Sequence, residues 1–209
     1  MKLFDLDGTL LDSNGIWQEI DRIFLARRGM ELTEEYNQGV IHAIVPTAAK
    51  FTKEYCQLPE SEEEIMAEWF QLALEGYSHT LEAKEGVLDY LESCARRGER
   101  MALFTSAVPE LCRAALKNHG FDRYLSDVIF AQELGMEKRH PEVFTLVARR
   151  LGTSPDQITF YDDSPVACRS AKAAGLRVVG VYDPLFAREE EEMKALCHRY
   201  IHSFRELED

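Results

Sequence analysis

Two carboxylates, Asp5 and Asp7 in Phe4-Asp5-Leu6-Asp7-Gly8-Thr9-Leu10-Leu11-Asp12-Ser13, are the residues of this chain best placed to do chemistry. The run Lys2-Leu3-Phe4 ahead of them suits a short buried strand, which delivers both acids to its end. Gly8 then permits a sharp turn. Side chains at i and i+2 of a regular strand share a face, so two negative charges are brought close together. That arrangement is costly unless a cation or a phosphoryl group shares the site. Asp5, the first of the pair, reads as a nucleophile.

The elements that must hold these acids change character along the chain. After Ser13, Ile16, Trp17, Ile20, Ile23 and Phe24 recur at helical spacing until Gly29. A second helical stretch begins near Thr33, with Pro46 interrupting its periodicity before helix resumes through Phe51 and Tyr55. Ser61 followed by Glu64 forms a capping box for another helix, through Met66, Trp69, Phe70 and Leu74. Gly76 to Lys84 reads as a return connection. Beyond Gly86 a helix with Val87, Leu88, Leu91 and Ala95 on one face leads to the apolar run Met101-Ala102-Leu103-Phe104. Strand and helix then alternate: helix 109–119, strand 128–130, helix 141–151, strand 157–161, helix 165–174, strand 177–182. This pattern predicts an α/β fold, a Rossmann-like parallel sheet with helices on both faces. The core comprises residues 1–13 and 84–209, and residues 14–83 form an all-helical insertion after the first strand.

In such sheets ligands bind beyond the carboxyl ends of the strands. Thr105 and Ser106 follow Phe104 there. Lys138 lies in Gly135-Met136-Glu137-Lys138-Arg139-His140-Pro141, where Pro141 suits the first position of a helix and leaves Lys138 on the loop. The run Ile158-Thr159-Phe160-Tyr161 leads straight into Asp162-Asp163-Ser164-Pro165. Asp163 or Ser164 is equally suited to cap the helix that follows.

Together these four segments resemble the ordered motifs of the haloacid dehalogenase-like hydrolases, most of which are magnesium-dependent phosphatases. Arg139 stands where that family usually has the first proline of Lys-Pro-x-Pro. The resemblance implies an aspartyl-phosphate mechanism: Asp5 attacks phosphorus, and Asp7 serves as acid for the leaving oxygen and then as base for water. It implies that Lys138 neutralises the transferring group. Its oxygens would be bound by Thr105 and Ser106 and by the turn at Gly8 and Thr9. Mg2+ prefers hard oxygen ligands and few protein carboxylates. Asp5, the backbone carbonyl of Asp7, and Asp163 would supply them, with Asp162 a direct or water-mediated helper. The helical insertion resembles the family's cap domain, with Trp17, His42 and Lys50 as conceivable substrate contacts. Trp17 reads better as core, and the other two as solvated helix residues.

The bulk composition narrows the partners. Lys and Arg number 24 against 37 Asp and Glu, a net charge of −13, which disfavours nucleic acid and anionic membrane surfaces. Five scattered Cys without a C-x-x-C motif read as reduced thiols. No apolar run approaches bilayer length and no secretory signal pattern opens the chain. A cytoplasmic enzyme of small phosphorylated metabolites, a monomer or weak homodimer, is therefore expected. Two alternatives stand beside it. One is a sugar-phosphate mutase resembling β-phosphoglucomutase, although Asn14-Gly15-Ile16-Trp17 lacks the His that such mutases carry shortly after the first motif. The other is a non-catalytic binding module with the same fold. His198 and His202 have helical metal spacing but equally flank a final strand around Tyr200-Ile201.

Overall fold

The computed structural model describes residues 1–40 and 45–207, so His42 lies outside the described residues. The chain divides into two compact units, one of Met1–Asn14 with Leu81–Asp209 and one of Gly15–Thr80.

In the first unit, six strands form one sheet: β1 (Lys2–Phe4), β2 (Met101–Thr105), β3 (Val128–Phe130), β4 (Thr159–Asp162), β5 (Arg177–Val181) and β6 (Arg199–Ile201). Their order is β3-β2-β1-β4-β5-β6, and every pairing is parallel. Lys2 sits opposite Met101 on one side and Thr159 on the other, so β1 is a central strand despite its three residues. Its Leu3 and Phe4 are fully buried on opposite faces, which is what an uninterrupted apolar run means in a sheet covered on both sides. On the Leu3 face, Ala102, Phe104, Ile129, Phe160 and Val178 pack against Val143, Phe144 and Val147, and against Cys168 and Ala171. On the other face Phe4 stacks on Tyr161 with ring centroids 4.6 Å apart, and Tyr90 and Phe204 close the aromatic group.

The second unit contains α1 (Ile16–Ala26), α2 (Glu34–Val40), α3 (Val45–Cys56) and α4 (Glu62–Glu75), followed by a π-helical turn at Gly76–Thr80. Ser61 and Glu64 make the expected reciprocal capping box at the start of α4. Phe24 meets Trp69 edge to face at 5.7 Å, and Arg28 ties Glu60 and Glu68 together. The Tyr36 hydroxyl lies 3.0 Å from Asp21 and 2.8 Å from Thr52, a polar chain inside the unit. Trp17 departs from its expected core position and is 43% exposed, because the buried stripe of α1 runs through Ile16, Ile20, Phe24 and Leu25.

The remaining helices of the first unit are α5 (Val87–Arg96), α6 (Pro109–His119), α7 (Pro141–Arg150), α8 (Pro165–Ala173) and α9 (Glu190–Leu196). The stripe on α5 also differs from expectation. Leu88 is 41% exposed, and the buried positions are Val87, Tyr90, Leu91 and Cys94. Tyr90 is drawn inward because its hydroxyl meets that of Tyr161 at 2.6 Å, which satisfies both phenols in the core.

Candidate active site

The carboxyl ends of the central strands β1 and β4 carry the acids. Asp5 follows β1 directly, and its backbone N–H donates to the Tyr161 carbonyl at 2.9 Å, so it stays in register with β4. Asp162 ends β4 and Asp163 opens the turn into α8. Each is almost fully buried. Carboxylate oxygens of Asp5, Asp162 and Asp163 all lie within 4.8 Å of one another.

Lys138 enters this group from the loop ahead of α7, with Pro141 at the start of that helix as the sequence predicts. The residue is only 9% exposed; its ammonium bonds Asp5 and lies 3.0 Å from Asp162. Arg139, at the departing position of the motif, turns outward to Glu137, while its backbone carbonyl accepts from the Ser170 hydroxyl at 2.7 Å. The loop is thus anchored to α8 without the usual proline.

Local turns orient the acids. The Ser164 backbone N–H donates to Asp162 at 2.8 Å, and the Ser164 hydroxyl is the side-chain cap of α8. The capping role falls to Ser164, which leaves Asp163 for other partners. Asp163 accepts from the Thr9 hydroxyl at 3.2 Å and from the Asn14 side-chain amide at 2.8 Å. Gly8, at φ +74°, lets the chain pass so close that an added Cβ would lie 2.2 Å from the Asn14 amide nitrogen and 2.3 Å from an Asp163 oxygen. Asp7 points elsewhere: its carboxylate accepts from the Ser13 hydroxyl at 2.6 Å, and Ser13 in turn receives the Gly8 N–H at 3.3 Å. The carboxylate cluster therefore takes in Asp5, Asp162 and Asp163 but not the side chain of Asp7. Thr105, at the end of β2, is fully buried and accepts the Ala107 N–H at 3.0 Å. Ser106 is exposed and borders a cavity of about 520 Å3 with Gln132, Met136, Glu137, His140 and Glu142.

The electrostatics are those of an acid excess. Burial pushes the Asp5 carboxyl well above the usual carboxylate range; Lys138 opposes this, while Asp162, Asp163 and Asp7 add to it. Burial, reinforced by Asp162, pushes Asp163 up to about 7. Burial acts to lower the Lys138 ammonium, but Asp162 and Asp5 outweigh it and hold its proton more tightly than usual. Three carboxylates face one ammonium, and all donors are hard oxygens. That set fits a divalent cation.

Asn14 carries no motif signal in the sequence, since its partner lies 149 positions away. The pair Lys84 and Asp183, joined at 2.6 Å with Asp183 buried at the end of β5, is equally silent there. Of the two histidines, His198 accepts the Val178 N–H and His202 pairs with Glu190, and no metal-type group among the described residues includes either.

A parallel α/β sheet thus gathers buried acids at the ends of its central strands, with one lysine reaching them from a neighbouring loop. The chain belongs to the haloacid dehalogenase-like hydrolases, whose family model matches residues 2–181. It is 24% identical over 184 residues to the phosphorylated carbohydrates phosphatase of Thermotoga maritima, covering 88% of this chain and 85% of that protein. It is 30% identical over 183 residues to phosphoglycolate phosphatase 1 of Pseudomonas aeruginosa, covering 84% of this chain and 66% of that protein. Among solved structures, a Thermotoga maritima protein provisionally named a β-phosphoglucomutase superposes with a TM-score of 0.85 at 22% identity, over 96% of this chain and 93% of that one. CbbY from Rhodobacter sphaeroides in complex with phosphate gives 0.76 at 21% identity, over 99% and 95%. These superpositions bear on the fold.

Proposed function

We propose that the chain is a Mg2+-dependent phosphatase of small phosphorylated metabolites acting through an aspartyl-phosphate on Asp5. The observation that carries this reading is the burial of Asp5, Lys138, Asp162 and Asp163 as one group at adjacent strand ends. The names of matched phosphatases that act on phosphorylated carbohydrates and phosphoglycolate support the substrate class.

In this reading an Asp5 carboxylate oxygen attacks phosphorus, and the ester oxygen leaves with a proton from Asp7. Water then attacks the acyl phosphate, Asp7 takes its proton, and inorganic phosphate departs. Lys138 offsets the charge of the transferring group, and the Thr105 hydroxyl with N–H groups of the Asp7–Gly8–Thr9 turn bind its oxygens. Mg2+ held by Asp5, Asp163, the Asp7 carbonyl and Asp162 would supply the positive charge that makes an anionic ester open to a carboxylate. The Ser13 hydroxyl holds Asp7 in a fixed orientation, which suits a group that gives and then takes a proton. The unit Gly15–Thr80 leaves the chain immediately after this turn, and we assign it leaving-group recognition as a cap.

A panel of sugar phosphates, phosphoglycolate and other small phosphomonoesters tests the proposal, with phosphate release followed in Mg2+, in EDTA and with Asp5→Asn. Release that needs both Mg2+ and Asp5 is expected. Full turnover by Asp5→Asn would remove the mechanism, and isomerised sugar phosphate in place of free phosphate would favour the mutase.

A further inference from the structure

The opposite end of the sheet carries a second charged feature. The register places Lys2, Thr159 and Arg177 in one row across β1, β4 and β5. Two residues further along, Phe4, Tyr161 and Val179 form the next row, and Arg199 at the start of β6 lies beside Val179. Residues two apart in a strand share a face, so Lys2, Arg177 and Arg199 all emerge on the Tyr161 face, at the beginnings of their strands. With Arg97 and His198 they border a cavity of about 600 Å3, a size ordinary for a small-molecule site.

Among the described residues, little neutralises these cations. Lys2 and Arg97 share the single carboxylate of Glu99, at 3.3 Å and 2.7 Å. Arg199 bonds the backbone carbonyl of Glu206, which orients the guanidinium without cancelling its charge. Arg177 is exposed and makes no side-chain hydrogen bond or ion pair with any described residue. His198 accepts the Val178 N–H at Nδ1, so its neutral ring carries the proton at Nε2 and adds a donor. Four cations converge on one cavity in a chain whose net charge is −13. Like charges gathered around one cavity repel one another, and a bound anion would relieve that repulsion.

We propose that this cavity is a second ligand site, built for a compact polyanion bearing at least two phosphate groups. Adjacent strands lie roughly 4.8 Å apart, so Lys2 and Arg177, two strands apart, span about 10 Å. The four cations outnumber the one carboxylate of Glu99 by three, and a single phosphate carries at most about two negative charges at neutral pH. Lys2 precedes Asp5 by three residues, and Thr159 precedes Asp162 by three, which sets this site about 10 Å from the acids along the strands at roughly 3.3 Å per residue. A ligand here lies beyond reach of Asp5 and is not the substrate of the proposed reaction, so the inference stands apart from that reading.

Calorimetric titration of the full chain with inorganic tripolyphosphate, in EDTA and at low ionic strength, tests it. Without metal the carboxylate end of the sheet lacks the cation that would hold a polyanion beside Asp5, Asp162 and Asp163, and D5N controls for binding there. The expected result is one-to-one binding that weakens steeply with added NaCl, falls by about tenfold or more in R177E/R199E, and is unchanged in D5N. Both arginines are exposed, and the double variant is expected to release phosphate in Mg2+ within about twofold of the wild-type rate. The single variant R177Q should show a smaller loss in the same direction. No binding by the wild type, equal binding by R177E/R199E, or a loss in D5N as large as in that variant would overturn the proposal. So would a salt-sensitive dimer that R177E/R199E dissociates while tripolyphosphate goes unbound, which would assign the cations to a second copy of the chain.

Discussion

Asn14 donates its side-chain amide to Asp163 across 2.8 Å, joining the residue just after the first motif to the last acid of the site. With the Thr9 hydroxyl on the other oxygen, both carboxylate oxygens of Asp163 are held by donors from one turn. A hydrogen bond to a charged group contributes about 1.5–3 kcal/mol. Asn14→Ala is therefore expected to weaken Mg2+ binding by about tenfold. Titrating the metal while following thermal stability should reveal this, with turnover at saturating Mg2+ little changed. Unaltered Mg2+ affinity would mean that Asn14 merely fills the turn.

Lys138 is the counterweight to the buried acids, so its removal should be costly in the absence of metal. Lys138→Met leaves Asp5 and Asp162 without their cation, and breaking a buried pair from one side costs about 3–5 kcal/mol. Chemical denaturation in EDTA should show a loss of that order, partly reversed by Mg2+. A loss of the same size in both conditions would indicate that Lys138 does not share the metal's electrostatic role.

Asp21 gives a pH signature in the helical unit. Burial raises its carboxyl from an ordinary 3.8 to about 6, while the hydrogen bond from Tyr36 pulls the other way. The folded state thus binds more protons than the unfolded state between those two values. Its contribution is fully favourable below the lower value and is lost as pH rises through the upper one. Asp21→Asn keeps an acceptor for Tyr36 and removes the charge. The variant should melt above the wild type at neutral pH, and the difference should shrink as pH falls from about 6 towards 4. A pH-independent difference would count against this account.

Gly8 tolerates no side chain. Its positive φ disfavours an L residue, and a Cβ would strike both Asn14 and the Asp163 carboxyl group. Gly8→Ala should destabilise the fold by more than about 1 kcal/mol and weaken Mg2+ binding at the same time. Calorimetry with and without metal separates the two effects.

The strand that carries Asp5, the placement of Pro141 and the acidic pair closing β4 were readable because each is encoded by neighbours within about ten positions. Continuous apolar runs and turn residues at strand ends specify them locally. Trp17 and Leu88 were misjudged for a different reason. Hydropathy alone favours burying an indole or a leucine, but Tyr90 is drawn inward by the Tyr161 hydroxyl, a partner 71 residues distant. Leu88 is then turned outward by helical geometry. The π-helical turn at Gly76–Thr80 was likewise read only as a connection, since its sequence has no distinctive period. Asn14 and the Lys84–Asp183 pair are contacts over long separations, invisible to spacing.

The central place of β1 has a consequence for how the protein comes into being. The strand is made first, yet its two neighbours begin at residues 101 and 159. Until then a three-residue apolar segment has no ladder on either side, and the oxygens of Asp163 that Thr9 must meet are 154 positions away. Closing so large a loop carries an entropic cost that only the completed sheet offsets. Assembly of the acid cluster is therefore a late product of synthesis, and a nascent chain released before β4 carries Asp5 and Lys138 without Asp162 and Asp163.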